Sequence, residues 1–123
     1  MLPQAARMRD GEEFRRTMRR GSAASMPAVV VHVWSGEPGD NQTRVGLIVG
    51  KKVGPAVVRN RVKRRIRHAV RAEFSSIPAG SRVVIRALPS AAVDPALQAT
   101  VAEGLSRAVR RSRAAQHSAS VRD

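Results

Sequence analysis

The stretch from Gly50 to Phe74, GKKVGPAVVRNRVKRRIRHAVRAEF, most constrains what this chain can fold into and bind. Its basic residues are Lys51, Lys52, Arg59, Arg61, Lys63, Arg64, Arg65, Arg67 and Arg71. No Asp or Glu occurs between Asp40 and Glu73. Because so many like charges repel one another, they are tolerated best against a polyanion, and nucleic acid is the usual one.

The spacing of apolar residues in this stretch predicts a helix. The residues that recur at intervals of three and four are Val58, Val62, Ile66, Ala69 and Val70. On a helical wheel the opposite side carries Asn60, Arg61, Lys63, Arg64, Arg67 and Arg71. The pair Gly54-Pro55 predicts the start, since Pro is favoured only in a first turn. A solvated surface helix is the alternative, but such helices usually mix Glu with Lys, so we favour nucleic-acid contact.

Composition limits the class of protein. A chain of 123 residues is expected to form one domain, and a formal net charge of +14 indicates a polyanionic partner. The absence of Cys excludes disulfides and thiolate metal sites. No apolar run is long enough for a membrane span, and the N-terminus has no apolar signal core. We therefore expect a cytoplasmic protein that does not enter a membrane.

The remaining helices and strands are predicted from capping residues, turn residues and the alternation of side chains along the chain. Asp10 and Glu13 predict a capping box for a helix that runs to about Arg20 and stops at Gly21, its C′ position. Strands are predicted at 27–34, 43–50 and 82–88, and a last helix from Asp94-Pro95 to about Arg113. We expect one RNA-binding domain over 1–113 and a disordered tail over 114–123.

Alternation along the first two predicted strands separates two faces. The aliphatic face is Val29, Val31, Val33, Val45, Leu47 and Val49. The mixed face is Val30, His32, Trp34, Arg44, Gly46 and Ile48. The mixed face is either half-solvated or left open for a ligand whose bases could stack on Trp34 or His32. Phe14 and Met18 are helical neighbours, and from spacing alone we expect them to pack into the core.

Side chains for protein-based catalysis are missing. His32, His68 and His117 lie in a strand, a basic helix and the tail, without metal-site spacing. The carboxylates are scattered, and no pair has the spacing of an acid and a base. The sequence therefore predicts no catalytic residue and no metal ligand in this chain.

The segment KKVGPAVVRNRVKRRIR resembles the signature of the bacterial ribonuclease P protein component. That signature has a Lys-Lys-hydrophobic-Gly turn, then Ala-Val, then Arg-Asn-Arg with a basic helix behind it. Weaker similarity extends from about Met1 to about Ala108. It includes Glu13-Phe14, Gly21 and Arg44-Val45-Gly46.

The resemblance implies a fold and a function. The fold would be α+β, a small αβββαβα sandwich with one central, mostly antiparallel sheet. The basic helix would lie in a left-handed βαβ crossover, and a short fourth strand would lie near 22–26. The chain would be the protein subunit of a ribonucleoprotein whose RNA uses Mg²⁺ to cut the 5′ leader from precursor tRNA. The protein would bind that RNA and the leader, and we expect it to be monomeric within the enzyme.

The resemblance also implies site residues. Contacts to the catalytic RNA would come from Lys51, Lys52, Arg59, Asn60, Arg61, Lys63, Arg64, Arg67 and Arg71. The leader cleft, between the first helix and the mixed sheet face, would hold Phe14, Met18, His32, Trp34 and Ile48. Met18 and His32 stand where the family frequently has aromatic residues, which indicates weaker base stacking.

Two other classes of protein share these features. A ribosomal or other structural RNA-binding protein would show the same charge, although the Arg-Asn-Arg helix after Lys-Lys argues against it. An Arg-rich DNA-binding protein is disfavoured because no helix-turn-helix pair is visible.

Overall fold

The structure is a computed structural model that describes residues 4–122, with side chains over 5–116. Its regular elements, in chain order, are α1 (Gly11–Arg20), β1 (Ser22–Ser25), β2 (Val29–Trp34), β3 (Arg44–Ile48), α2 (Ala56–Glu73), β4 (Arg82–Ala87) and α3 (Leu97–Arg122). Short 3-10 turns occupy Gln4–Ala6, Lys51–Val53, Phe74–Ser76 and Pro89–Ala92. The predicted αβββαβα order is confirmed, including the short strand near 22–26.

The four strands form one sheet in the order β1-β2-β4-β3. β1 pairs antiparallel with β2, and β2 pairs antiparallel with β4. Only β3 and β4 are parallel, so α2 is the crossover that joins them. The mostly antiparallel α+β architecture is confirmed, whereas the left hand of the crossover stays a prediction.

The aliphatic face of the sheet carries the core. Val29 and Val31 of β2 are fully buried, as are Ile66 of α2 and Leu97 of α3. Gly104 lets α3 approach the sheet, because a Cβ at that position would lie 2.8 Å from a methyl of Val31. Both long helices therefore cover this face.

α1 covers part of the opposite face. Thr17 of α1 is fully buried, and the Phe14 ring lies where a Cβ of Gly46 would be. Gly21 follows the last residue of α1, as expected, and its backbone is extended, with a φ of −79°. A Cβ there would lie 2.6 Å from the Thr17 carbonyl oxygen and 2.8 Å from that of Val33. Glycine is thus needed for close approach to β2.

Two predicted boundaries differ from the structure. β2 begins at Val29 rather than at Pro27, whose nitrogen has no hydrogen to donate to a ladder. α3 continues to Arg122, past the expected end near Arg113. The backbone over 114–122 is therefore helical in the structure, and the disordered tail expected over 114–123 stays a prediction. Ala114, Ala115 and Gln116 are good helix formers, and no Gly or Pro follows them.

Candidate nucleic-acid interface

α2 presents its basic residues to solvent because its apolar stripe is anchored in the core. Val62, Ile66 and Val70 are at most 1% exposed. Their burial fixes the rotation of the helix, so the opposite side of the wheel must face outward. The exposed predicted contacts are Lys51, Lys52, Asn60, Arg61, Arg64 and Arg71. Arg59, Lys63 and Arg67 are partly buried at the flanks.

The charges of this surface have no acidic partner. Between residues 5 and 116, every ion pair uses an arginine that lies outside α2 and outside the preceding turn. Arg59 donates from Nε to the Gly54 carbonyl at 3.2 Å, and Arg65 donates to the Asp94 carbonyl at 2.7 Å. These two guanidinium groups are held by local carbonyls, whereas the others stay available to an anion.

A shallow depression lies on the outward side of α2. Its lining is Asn60, Arg64, Arg67 and His68. Two guanidinium groups and an amide, presented one helical turn apart, can donate hydrogen bonds to successive phosphate oxygens. We call this side of α2, together with Lys51 and Lys52, the basic face.

A groove at the edge of β3 connects α2 with α1. Its lining is Arg7, Met8, Arg9, Phe14, Val45, Leu47, Lys63 and Arg67. The Met8 backbone N–H donates to the Val45 carbonyl at 2.8 Å, which holds the N-terminal segment along this edge. Lys63 and Arg67 thus share a groove with Phe14, so the basic face and the α1 side of the sheet are continuous here.

The mixed face of the sheet consists of three rows of paired residues. The near row is Trp34, Arg82 and Arg44. The middle row is Ala23, His32, Val84 and Gly46. The far row is Ser25, Val30, Arg86 and Ile48. α1 lies over the near and middle rows, since Glu13 contacts Arg82 and Phe14 contacts Gly46.

The five residues predicted for the leader cleft do not share one surface. Trp34 is in the near row, where the Arg20 guanidinium lies 5.5 Å from its ring centroid. Ile48 is in the far row, about 13 Å away along the strands at ~3.3 Å per residue. α1 runs between them. Phe14 is half-buried over Gly46, outside the main core, with Met18 one turn further along α1.

His32 lies beneath α1 and is 9% exposed. The ring therefore offers little surface to a base in this arrangement, and the role of His32 in the leader cleft stays a prediction. Neither ring nitrogen has a hydrogen-bond partner among the described residues, and the same is true of the Thr17 hydroxyl. Burial, and secondarily the Arg86 charge, lower the pKa of His32 below its usual value.

An ion-pair cluster that sequence reasoning missed fixes α1 to the near row. Glu13 accepts from Arg44 Nη1 at 2.9 Å and from Arg82 Nε at 3.1 Å. Arg82, only 3% exposed, also donates to the Asp40 carboxylate and to the Gln42 carbonyl. The Gln42 backbone N–H and then Arg82 lower the pKa of Asp40.

The cluster corrects the predicted capping box. Asp10 caps α1 by accepting from the Glu12 N–H at 3.0 Å, whereas Glu13 turns to the sheet instead of back to Asp10. Arg82 at the start of the otherwise apolar strand RVVIRA was the available signal, since a buried guanidinium requires an acid nearby.

Among the side chains of residues 5–116, no group of three His, Cys, Asp or Glu could hold a metal ion. Over the described backbone, 4–122, no helix is both long and apolar enough to cross a bilayer.

Comparison with known proteins agrees with this geometry. The family model described as Ribonuclease P matches residues 2–113. A ribonuclease P protein component from a Nocardioides species is 50% identical over 93 residues, covering 75% of this chain and 80% of the relative. The protein of the same description from Streptomyces avermitilis is 46% identical over 118 residues, covering 90% and 94%.

Solved structures show the same fold. The Staphylococcus aureus RNase P protein has a TM-score of 0.71 and 25% identity, covering 87% of this chain and 94% of that one. The Thermotoga maritima RNase P protein has a TM-score of 0.66 and 27% identity, covering 85% and 96%. The chain therefore belongs to the ribonuclease P family, as a protein component of the endoribonuclease that processes the 5′ ends of tRNAs.

Proposed function

We propose that the basic face binds the catalytic RNA of ribonuclease P. The single observation that carries this proposal is the unbalanced charge of the basic face, whose exposed Arg and Lys residues have no acidic partner between residues 5 and 116. Folded RNA offers closely spaced phosphates that satisfy such a surface. The predicted contacts Asn60, Arg61 and Arg64 lie together on it, which is consistent with one shared binding site.

The 5′ leader of precursor tRNA occupies the uncovered part of the mixed face in this proposal. The far row is not covered by the contacts that hold α1, and Val30 and Ile48 are only half-buried there. Phe14 lines the adjacent side of α1, and the groove at β3 connects it to Lys63 and Arg67. A single strand could thus run from the far row to the basic face without crossing the core.

The chemistry belongs to the RNA subunit in this proposal. Mg²⁺ prefers phosphate and water oxygens, and the RNA supplies the phosphates that would hold it. The protein contributes cations that offset repulsion between the catalytic RNA and its substrate. We further propose that one copy of the chain serves each enzyme and that it works in the cytoplasm.

Reconstitution tests the proposal. The chain is combined with a bacterial ribonuclease P RNA, and cleavage of a precursor tRNA is measured at low Mg²⁺. We expect cleavage well above that of the RNA alone, and none from RNA-free protein. Charge reversal of the basic face, Arg61→Glu with Arg64→Glu, should abolish the stimulation. Stimulation that survives this double substitution in a folded protein would refute the assignment of the basic face.

A further inference from the structure

Two arginines of β4 point to the same side of the sheet and have opposite surroundings. Arg82 is 3% exposed and is held by Glu13 and Asp40. Arg86 is exposed, and it has no ion pair or side-chain hydrogen bond to any residue between 5 and 116. The cluster explains Arg82 as structural, but nothing in the fold uses the Arg86 guanidinium.

The neighbours of Arg86 are apolar. It pairs in register with Val30 on β2 and with Ile48 on β3. Directly opposed residues on adjacent strands lie about 5 Å apart, so both side chains flank the arginine. The middle and far rows contain no acidic residue. Glu13 of α1 also faces this side of the sheet, but it accepts hydrogen bonds from Arg44 and Arg82. A lone cation thus lies between two half-buried aliphatic side chains on an uncovered surface.

The positive charge of Arg86 affects neighbouring groups on the mixed face of the sheet. His32, in the middle row, has its pKa lowered by Arg86 in addition to burial. The guanidinium is therefore close enough to the middle row to affect the protonation of His32 beneath α1. A ligand that lies along the far row would meet the same positive charge.

We propose that Arg86 binds one backbone phosphate of the single-stranded 5′ leader, while Val30 and Ile48 contact the flanking riboses or bases. The inference rests on the proposal that the leader lies on this face. It adds that recognition of the leader in the far row depends on phosphate charge rather than on base stacking. Trp34 lies two rows away from Arg86, and the neighbouring His32 ring is only 9% exposed, so neither ring offers a stacking surface in the far row.

The test uses the reconstituted enzyme with Arg86→Ala and Arg86→Lys. Affinity is measured for a precursor tRNA and for the mature tRNA. We expect Arg86→Ala to weaken precursor binding about tenfold, a typical loss for one charged hydrogen bond. Mature tRNA binding should not change, and Arg86→Lys should retain most of the affinity. The log–log salt slope should become shallower by about 0.7, the value for one phosphate of a single strand.

Arg110→Ala is the matched control. Arg110 is an exposed arginine on α3, which packs on the opposite face of the sheet. Its substitution removes the same net charge and should leave the preference for precursor over mature tRNA unchanged. An equal loss of this preference in both variants would mean that net charge acts rather than position, and would overturn the inference.

Chemically altered leaders identify the group that Arg86 contacts. A neutral methylphosphonate is placed at one leader position at a time. We expect one position to weaken binding by the wild-type enzyme about tenfold and to have no further effect on Arg86→Ala. If base changes, but no methylphosphonate, reproduced the effect of Arg86→Ala, a base contact would replace the phosphate contact.

The two levels of the proposal can fail separately. If the wild-type enzyme prefers precursor tRNA and Arg86→Ala keeps that preference in full, only the role of Arg86 is overturned. If the wild-type enzyme binds both tRNA forms equally, the leader site itself is wrong and the role of Arg86 falls with it.

Discussion

The basic face of α2 and the near row beneath α1 both contain arginines, yet the fold treats them in opposite ways. On α2, Arg61 and Arg64 are exposed and no acid lies within ion-pair distance among residues 5–116. In the near row, Arg82 is buried and shared between Glu13 and Asp40. The position of the few acids, rather than of the many arginines, therefore separates binding residues from structural ones.

This difference has an energetic reason. A buried guanidinium loses its hydration, so it is stable only with hydrogen-bonded counter-charges. An exposed one keeps its hydration and costs little in the folded state. The same residue type thus contributes to stability in the near row, and stays available for an anionic partner on α2.

Substitution of Arg82 should have the largest effect on stability. Arg82→Ala leaves Glu13 and Asp40 without this partner, and breaking a buried ion pair in this way costs about 3–5 kcal/mol. Denaturant unfolding of the RNA-free protein measures the loss. Arg86→Ala, on the same strand and the same face, is the control and should change the free energy of unfolding by less than about 0.5 kcal/mol. Equal losses would remove the contrast between buried and exposed arginines.

Added salt should strongly weaken the binding of the basic face to the catalytic RNA. About six phosphate contacts give a log–log slope of roughly −4 to −5 for binding to the catalytic RNA. Titration at fixed Mg²⁺ with increasing monovalent salt measures it. The free energy of unfolding should change much less over the same range, since the near-row pairs are partly shielded from solvent. A binding slope shallower than about −1 would show that the charges of α2 are not the contact surface.

The sequence predicted the basic face well because one periodicity determines it. Burial of Val62 and Ile66 sets the rotation of α2, and the charged side follows. The surroundings of the predicted leader cleft could not be read from the sequence in the same way, since strand parity places His32, Trp34 and Ile48 on one face without showing where α1 crosses. That crossing depends on non-local contacts, namely Glu13 with Arg82 and Phe14 with Gly46.

A single charge on the exposed side of α2 should matter for binding alone. Arg61→Ala should weaken assembly with the catalytic RNA by roughly 1–3 kcal/mol, the range for one charged contact. The melting temperature of the free protein should stay unchanged. Filter binding beside thermal unfolding separates the two effects. A clear loss of stability in Arg61→Ala would mean that Arg61, like Arg82, is a structural residue rather than an RNA-binding one.

Phe14 tests the boundary between the two regions, because it lines the groove that joins them. Phe14→Ala should reduce affinity for precursor tRNA by roughly 1–3 kcal/mol through lost stacking, with little change for mature tRNA. Its half-buried position predicts a smaller loss of stability than the roughly 3–5 kcal/mol of a core Phe. A large fall in melting temperature, with equal loss of both tRNA forms, would make Phe14 a core residue.

The smallest expected effect is a pH dependence of stability that comes from His32 beneath α1. Its folded pKa is lowered by burial and then by Arg86. Above the unfolded value of about 6.5, His32 is neutral in both states and pH has no effect through it. As pH falls below about 6.5, the unfolded chain takes up the proton first, so stability decreases until the folded pKa is reached. One proton limits the slope to about 1.4 kcal/mol per pH unit.

Unfolding measured between about pH 7 and 5 should show this decrease in the wild type and not in His32→Leu, which cannot titrate. Because the titratable groups other than His32 are the same in both proteins, their contribution to the pH dependence of stability cancels in the difference. The same slope in both proteins would show that the ring is not sealed beneath α1, and that the near and middle rows are as accessible to water as the basic face.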